Sequence, residues 1–125
     1  MEEQYILTID CGTQSMRALL FDKFGQLHVK FKKEIDFYIS DKAGRYEADA
    51  ENFYELMKEV CTGAKAASPE KYSKIAAITL TTQRDTGLLV DKEGKALRRA
   101  IIWMDNRLCK NLKPMNPFYR ALRCV

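Results

Sequence analysis

The sequence predicts an α/β domain on a mixed sheet, in which three antiparallel strands precede a helix and a parallel strand. Three observations support this prediction. Apolar runs separated by tight turns fill residues 5–37, a helical stripe follows at residues 49–67, and a short apolar run occupies residues 75–81. Since a parallel strand is reached through a long crossover, the intervening helix indicates that the last run is a parallel strand.

The first three strands are expected to be neighbours in the sheet. Residues 5–10 predict a buried strand and residues 16–22 its antiparallel partner, because β-compatible apolar side chains fill both. After a turn at residues 23–26, residues 27–37 alternate between apolar and polar side chains, although Lys33 interrupts the phase. This pattern predicts a third strand with one solvated face.

A helix is expected after a polar loop at residues 40–47. Asp49 is the predicted N-cap, because its carboxylate can accept from unpaired N–H groups, and Glu51 adds favourable charge in the first turn. Ser68 and Pro69 should end the helix, since proline cannot continue the hydrogen-bond ladder. The apolar stripe that should pack on the sheet consists of Phe53, Leu56, Met57, Val60, Ala64 and Ala67.

The rest of the chain predicts a hairpin and a second helix. Residues 86–90 and 100–103 are expected to pair around a turn at residues 91–94. Three antiparallel strands, a helix, a parallel strand and a helix are the order in which a ribonuclease H-like domain begins. With 125 residues the chain is one small domain at most.

The turn between the first two strands carries the most informative residues. Gly12 permits the positive φ or the close backbone approach that such a turn needs. Thr13 and Ser15 offer hydroxyl and backbone donors to phosphate oxygens, and Arg17 offers a planar fork of donors. Asp10 supplies the hard oxygen that magnesium prefers. The turn therefore indicates a site for a magnesium-bound phosphate; an aspartate that only closes a hairpin is the alternative.

Two later groups carry polar chemistry beside an aromatic ring. Arg84 and Asp85 follow a predicted strand at its carboxyl end and can donate to and accept from the hydroxyl groups of a polyol. The alternative is a surface ion pair. Trp103 beside Asp105 offers a wall on which the C–H face of a sugar can stack. The alternative is a core tryptophan followed by a helix-capping aspartate.

These motifs resemble the FGGY family of carbohydrate kinases, within the sugar kinase, Hsc70 and actin superfamily. The resemblance rests on Asp-x-Gly-Thr-x-Ser-x-Arg at residues 10–17 and on residues 82–107, which end in Trp-x-Asp-x-Arg. Residues 44–49 match a third family pattern, aromatic-x-Glu-x-Asp, more weakly. Gln14 departs from the threonine common in the family. Asp85 is one methylene shorter than the glutamate of glycerol kinases, and xylulose kinases commonly have Met-His here, so the substrate stays open.

The resemblance implies transfer of the γ-phosphate of magnesium-ATP to a hydroxyl of a pentulose or glycerol. It implies a magnesium ligand at Asp10. It implies phosphate contacts from Gly12, Thr13, Gln14, Ser15 and Arg17. It implies sugar contacts from Gln83, Arg84, Asp85, Trp103 and Asp105.

Family members are far longer, so residues 1–125 are expected to be the first part of the N-terminal sugar-binding domain, without the C-terminal nucleotide domain. The family's catalytic base lies further along the chain, so no catalytic residue is expected here and the fragment alone should be inactive. One alternative is an actin-like or Hsc70-like ATPase module, but such a module has no reason to carry the polar groups at residues 83–85 and 103–107. The other alternative is a truncated interaction piece without catalysis.

Composition limits the classes of partner. The chain is 46% hydrophobic and 30% charged with a net charge of +4, which is typical of a globular protein. No apolar run approaches the about 18 residues of a membrane span, and the start is acidic, so a cytoplasmic protein without membrane contact is expected. Basic residues after position 94 are scattered, which argues against nucleic acid. A homodimer is one expectation for the full-length protein.

The four cysteines are expected to be free thiols, with the pKa of Cys11 raised by Asp10.

Overall fold

A computed structural model describes residues 3–108 of the chain. The strands, in chain order, are β1 Tyr5–Cys11, β2 Ser15–Asp22, β3 Leu27–Glu34, β4 Glu47–Ala48, β5 Ile75–Thr82 and β6 Ala100–Ile101. The helices are α1 Ala50–Ala67 and α2 Pro69–Ser73. The main sheet has the order β3-β2-β1-β5, and β4 pairs with β6 in a small second sheet.

The direction of each strand agrees with the sequence. β1 and β2 pair antiparallel, as do β2 and β3, whereas β5 runs parallel to β1. The crossover from β3 to β5 contains α1, as a parallel connection requires. The prediction of a mixed sheet with three antiparallel strands and a parallel strand is confirmed.

The core lies between α1 and one face of the sheet. Alternate residues of β1 and β2 point to this face, because side chains along a strand alternate between its two sides. The helix contributes Leu56, Val60 and Ala64, all buried, while Ala67 of the predicted stripe is exposed. The strand residues buried against the helix are Tyr5, Leu7, Ile9, Met16, Ala18 and Leu20.

Two local predictions need correction. β3 ends at Glu34, three residues before the predicted end, although the Ile35 N–H still donates to the Gln14 carbonyl (2.9 Å) in register with the last pair, Ser15 and Glu34. Asp49 is the N-cap of α1, but its carboxylate makes no capping hydrogen bond. That carboxylate instead accepts from Arg99 Nε at 3.1 Å.

The predicted hairpin after β5 is present as an irregular ribbon. Isolated bridges join Gly87 to Ile101 and Val90 to Ala96, and Gly94 has the positive φ of 82° that its turn requires. The second predicted helix falls beyond residue 108 and lies outside the described residues. On the helix side of β5, Ile78 and Leu80 are exposed within residues 3–108. None of the helices in this range is long and apolar enough to cross a membrane.

Candidate functional site

A cleft of about 760 Å³ opens at the turn between β1 and β2. One wall is the turn itself, residues 12–15, together with Arg17. The opposite wall comes from Ile35 and Tyr38, which follow β3, and from Trp103 and Met104, which follow β6. Segments far apart in the chain therefore meet at the carboxyl end of β1, where α/β sheets commonly bind ligands.

Asp10 and Arg17 form an ion pair at the edge of this cleft. They are direct cross-strand partners in β1 and β2, so both side chains lie on the sheet face opposite α1. Arg17 Nη1 donates to Asp10 Oδ2 at 2.5 Å, and both side chains are half-buried. Arg17 lines the cleft, so the pair places a carboxylate and a fork of donors beside it.

The turn itself is tight because Gly12 approaches Ser15. The Gly12 N–H donates to the Ser15 carbonyl at 3.1 Å, and a Cβ on Gly12 would lie 3.3 Å from that oxygen. Close approach, and not a positive φ, is therefore what favours glycine here. Gln14 is exposed at the tip of the turn, whereas Ser15 is only 1% exposed, so its hydroxyl lies beneath the turn.

Thr13 is the point at which the elements of the cleft meet. Its Oγ1 accepts a hydrogen bond from Trp103 Nε1 (2.8 Å) and donates to Gln83 Oε1 (3.3 Å). Its carbonyl accepts from the Tyr38 hydroxyl (2.7 Å). Tyr38 was not predicted as a site residue, because nothing in the local sequence distinguishes it from an ordinary core aromatic.

The group after β5 is only partly drawn into the site. The Gln83 N–H donates to the Cys11 carbonyl at 2.9 Å, which extends the pairing of β5 with β1 and brings Gln83 to the turn. Arg84 and Asp85 are exposed, and neither forms an ion pair within residues 3–108. Asp85 has a φ of 58°, a left-handed conformation that aspartate tolerates better than most residues.

Trp103 and Asp105 occupy different environments. Trp103 is 52% exposed, so a large part of its indole ring is open at the cleft. The Asp105 side chain is only 2% exposed and accepts from the Tyr46 N–H at 2.9 Å and from Arg107 Nε at 2.7 Å. Hydrogen bonds from Arg107, followed by that from Tyr46, hold the pKa of Asp105 far below its usual range. No helix starts at Asp105 within the described range.

An ion cluster with two buried carboxylates supports the Trp103 segment. We call it the Glu47 cluster: Glu47, Asp105, Arg45, Arg98 and Arg107. Glu47, with a side chain 5% exposed, accepts from Arg98 at 2.6 Å, Arg107 at 2.9 Å and Arg45 at 3.1 Å. Hydrogen bonding to Arg107 is the main cause that lowers the pKa of Glu47. The sequence signals for members of this cluster were the weak motif at residues 44–49 and the Trp-x-Asp-x-Arg motif, which contains Asp105 and Arg107.

Cys11 behaves as a structural thiol. It is buried at the end of β1 and is a free cysteine. Burial raises its pKa, and the charge of Asp10 raises it further, as the sequence predicted. Cys61 is also a free thiol with a pKa raised by burial, whereas Cys109 and Cys124 lie outside the described residues. A low thiolate fraction argues against a nucleophilic role for Cys11.

Residues 5–117 match the model of the FGGY family of carbohydrate kinases, N-terminal domain. The chain belongs to this family. It is 38% identical over 117 residues to a glycerol kinase of Brevibacillus brevis, covering 90% of this chain and 23% of that protein. A glycerol kinase of Petrotoga mobilis is 39% identical over 115 residues, covering 89% and 23%. The chain thus spans about a quarter of the length of these relatives.

Solved structures of FGGY-type sugar kinases share the fold. A xylulose kinase from Brucella ovis superposes with a TM-score of 0.80 at 29% identity, covering 83% of this chain and 22% of that one. Plasmodium falciparum glycerol kinase with ADP gives a TM-score of 0.74 at 27% identity, covering 84% and 21%. The predicted α/β class, with part of an actin-like ATPase domain, is therefore confirmed.

Proposed function

We propose that the complete protein is an ATP-dependent kinase that transfers the γ-phosphate of ATP to a hydroxyl of a sugar or polyol. Glycerol and pentuloses are the proposed acceptors, since the similar proteins include glycerol kinases and a xylulose kinase. One observation carries the proposal. A turn rich in hydrogen-bond donors for phosphate oxygens and a half-exposed tryptophan line the same cleft, and the hydrogen bond from Trp103 to Thr13 joins them.

The phosphate side of the proposed site is the turn. The backbone N–H groups of Thr13 and Gln14 have no partner within residues 3–108, so they can donate to phosphate oxygens. Arg17 adds a charged donor fork. We assign Gly12 the role of keeping the turn tight. Ser15, buried beneath it, is assigned to shaping the turn and offering its hydroxyl from below.

Asp10 is the proposed magnesium ligand. Its carboxylate lies beside the cleft through the ion pair with Arg17. A single carboxylate suits magnesium, which keeps several waters and takes one or two carboxylates together with substrate phosphates. When bound, magnesium would offset negative charge on the phosphates, while Arg17 would exchange part of its bond to Asp10 for phosphate oxygens.

The acceptor side of the proposed site is Trp103 with the group after β5. The open indole face can stack on the C–H face of a polyol, and the unpaired Arg84 and Asp85 can donate to and accept from its hydroxyl groups. Gln83 links this group to the turn. Asp105 is proposed to act by holding the Trp103 segment in place, because Arg107 and the Tyr46 N–H already occupy its oxygens.

We assign no catalytic base to these residues. Phosphoryl transfer depends on groups positioned from both sides of a cleft, so the remaining part of the enzyme would supply the base and the adenosine pocket. Residues 1–125 are then the first part of the sugar-binding domain. Location in the cytoplasm, a homodimer and the absence of nucleic-acid partners stay predictions.

The test is ADP release by a polypeptide that contains this chain and reaches the length of its relatives. We expect ADP release with ATP and magnesium to depend on glycerol or a pentulose, and Arg84→Ala to raise the KM for the acceptor. Tyr54→Ala, an exposed change on α1, serves as the control. Equal ADP release with and without every acceptor would favour an actin-like ATPase. No acceptor-dependent release from a well-folded enzyme would contradict the proposal.

A further inference from the structure

We propose that Thr13, held by Tyr38, is a positioning residue that fixes the indole of Trp103 for the acceptor. This inference rests on the proposed function, in which Trp103 is the wall of the acceptor site. It assigns the Thr13 side chain to the acceptor side of the cleft and leaves its backbone N–H to the phosphate side. It also adds Tyr38, which the sequence motifs do not contain, to the site.

The hydrogen bonds of the Thr13 hydroxyl support this assignment. A hydroxyl group has one proton to donate. In the structure Thr13 Oγ1 directs that proton to Gln83 Oε1 at 3.3 Å and accepts from Trp103 Nε1 at 2.8 Å. The hydroxyl cannot at the same time donate to a phosphate oxygen. The Thr13 hydroxyl instead links Gln83 to Trp103, two residues that would surround the acceptor.

The backbone of Thr13 is fixed from a third direction. The Tyr38 hydroxyl donates to the Thr13 carbonyl at 2.7 Å. The Tyr38 ring lies 5.9 Å from that of Phe37 and 6.4 Å from that of Phe53, centroid to centroid. Since Phe53 belongs to α1 and packs against the core, Tyr38 connects Thr13 to a rigid part of the fold.

This arrangement matters because the Trp103 ring is half-exposed. An indole with one open face and no fixed N–H can rotate, and it then loses side-chain entropy when a ligand binds. A bond from Trp103 Nε1 to an anchored hydroxyl removes part of that cost before binding. An aromatic ring that is held in place before the ligand binds is typical of a binding site, whereas an ordinary exposed aromatic side chain is free to rotate.

The chain offers an unusually clean readout, since Trp103 is its only tryptophan. It therefore gives one indole N–H resonance and one fluorophore. In the 125-residue chain, Thr13→Val should shift that resonance to the position of an unbonded indole and speed its exchange with water. Thr13→Ser should restore the wild-type resonance. Thr62→Val, an exposed change on α1, is the matched control and should leave it unmoved.

Tyr38→Phe provides the second test, and it stays decisive if Thr13→Val does not fold. Loss of the bond to the Thr13 carbonyl should make the Trp103 resonance broader or shift it, whereas Tyr54→Phe on the exposed side of α1 should not. An indole resonance unchanged in a folded Thr13→Val or Tyr38→Phe chain, with unchanged circular dichroism, would overturn the inference.

Titration with glycerol and pentuloses separates this inference from the proposed function. Binding followed by Trp103 fluorescence should weaken by about fivefold in Thr13→Val, in the range expected for one lost hydrogen bond, and recover in Thr13→Ser. If no acceptor perturbs wild-type Trp103, the proposed acceptor site against Trp103 fails, although the indole resonance can still show the bond to Thr13. Equal acceptor affinity in wild type and Thr13→Val overturns the positioning role alone.

Discussion

Gly63→Ala in α1 should destabilise the chain, although the same change stabilises most helices. Gly63 faces β3, where an added Cβ would lie 2.6 Å from Phe31 Cδ1 and closer still to two other atoms of the ring. Phe31 is partly buried and packs against the core, so a shift of the ring disturbs its neighbours. The segment that follows β3 supports the phosphate turn through the bond from Ile35 to Gln14. The packing of α1 on β3 therefore bears on the site.

The magnitude follows from two opposing effects. Replacing glycine by alanine inside a helix favours the helix by about 1 kcal/mol. Overpacking a filled interface costs about 1–3 kcal/mol. Ordinary carbon contacts lie near 3.5–4.0 Å, and this contact would be about 1 Å too short, so the larger part of that range applies. We expect the free energy of unfolding to fall by about 1–2 kcal/mol.

Urea denaturation of the 125-residue chain, followed by circular dichroism, measures this change. Ala66→Gly, on the exposed side of α1, gives the helix-propensity effect alone and should cost about 1 kcal/mol. In a Phe31→Leu background, Gly63→Ala should lose most of its penalty, because the ring is gone. A Gly63→Ala chain about 1 kcal/mol more stable than wild type would refute the packing of α1 on β3 described above.

Three further predictions concern turns and titration. The hydrogen bond from His28 is the main cause that lowers the pKa of Asp22. The stability that the ionised Asp22 carboxylate adds is therefore present above its unfolded pKa of about 3.9 and is lost as pH falls through the lowered folded value. His28→Gln should raise the Asp22 pKa in an NMR titration, and no rise would contradict this. Because the pKa of Cys11 is raised, iodoacetamide at pH 8 should label it more slowly than a cysteine in a denatured chain, as measured by peptide mass spectrometry; equal rates would contradict its burial. Gly44→Ala, at a φ of 75° and against the Asn106 side chain, should lower the urea midpoint and alter the Trp103 emission spectrum; an unaltered chain would contradict this close approach.

Local chemistry was enough to predict most of the fold. The apolar runs of β1 and β2, the alternation of β3 as far as Glu34, most of the stripe of α1 and the stop before Pro69 depend on neighbours in the chain, and the structure reproduces them. The turn at Gly12 was predicted for the same reason. Asp49 shows the limit of this approach, because its carboxylate bonds to Arg99, 50 positions along the chain.

The site was harder to predict because its key contacts are not local. Thr13 meets Gln83 across 70 positions and Trp103 across 90. Sequence patterns marked these three residues separately and gave no means of joining them. Tyr38 belongs to no motif and Glu47 only to the weak one at residues 44–49, and the roles of both depend on what tertiary packing places beside them.

The central claim is that the cleft at the β1–β2 turn binds an acceptor polyol against Trp103. Nuclear Overhauser contacts between the indole ring protons and the C–H protons of bound glycerol or a pentulose test it most directly. We predict such contacts in the wild-type chain, and their loss in Trp103→Ala with the circular dichroism spectrum preserved. Acceptor binding without any contact to the indole ring would contradict the account.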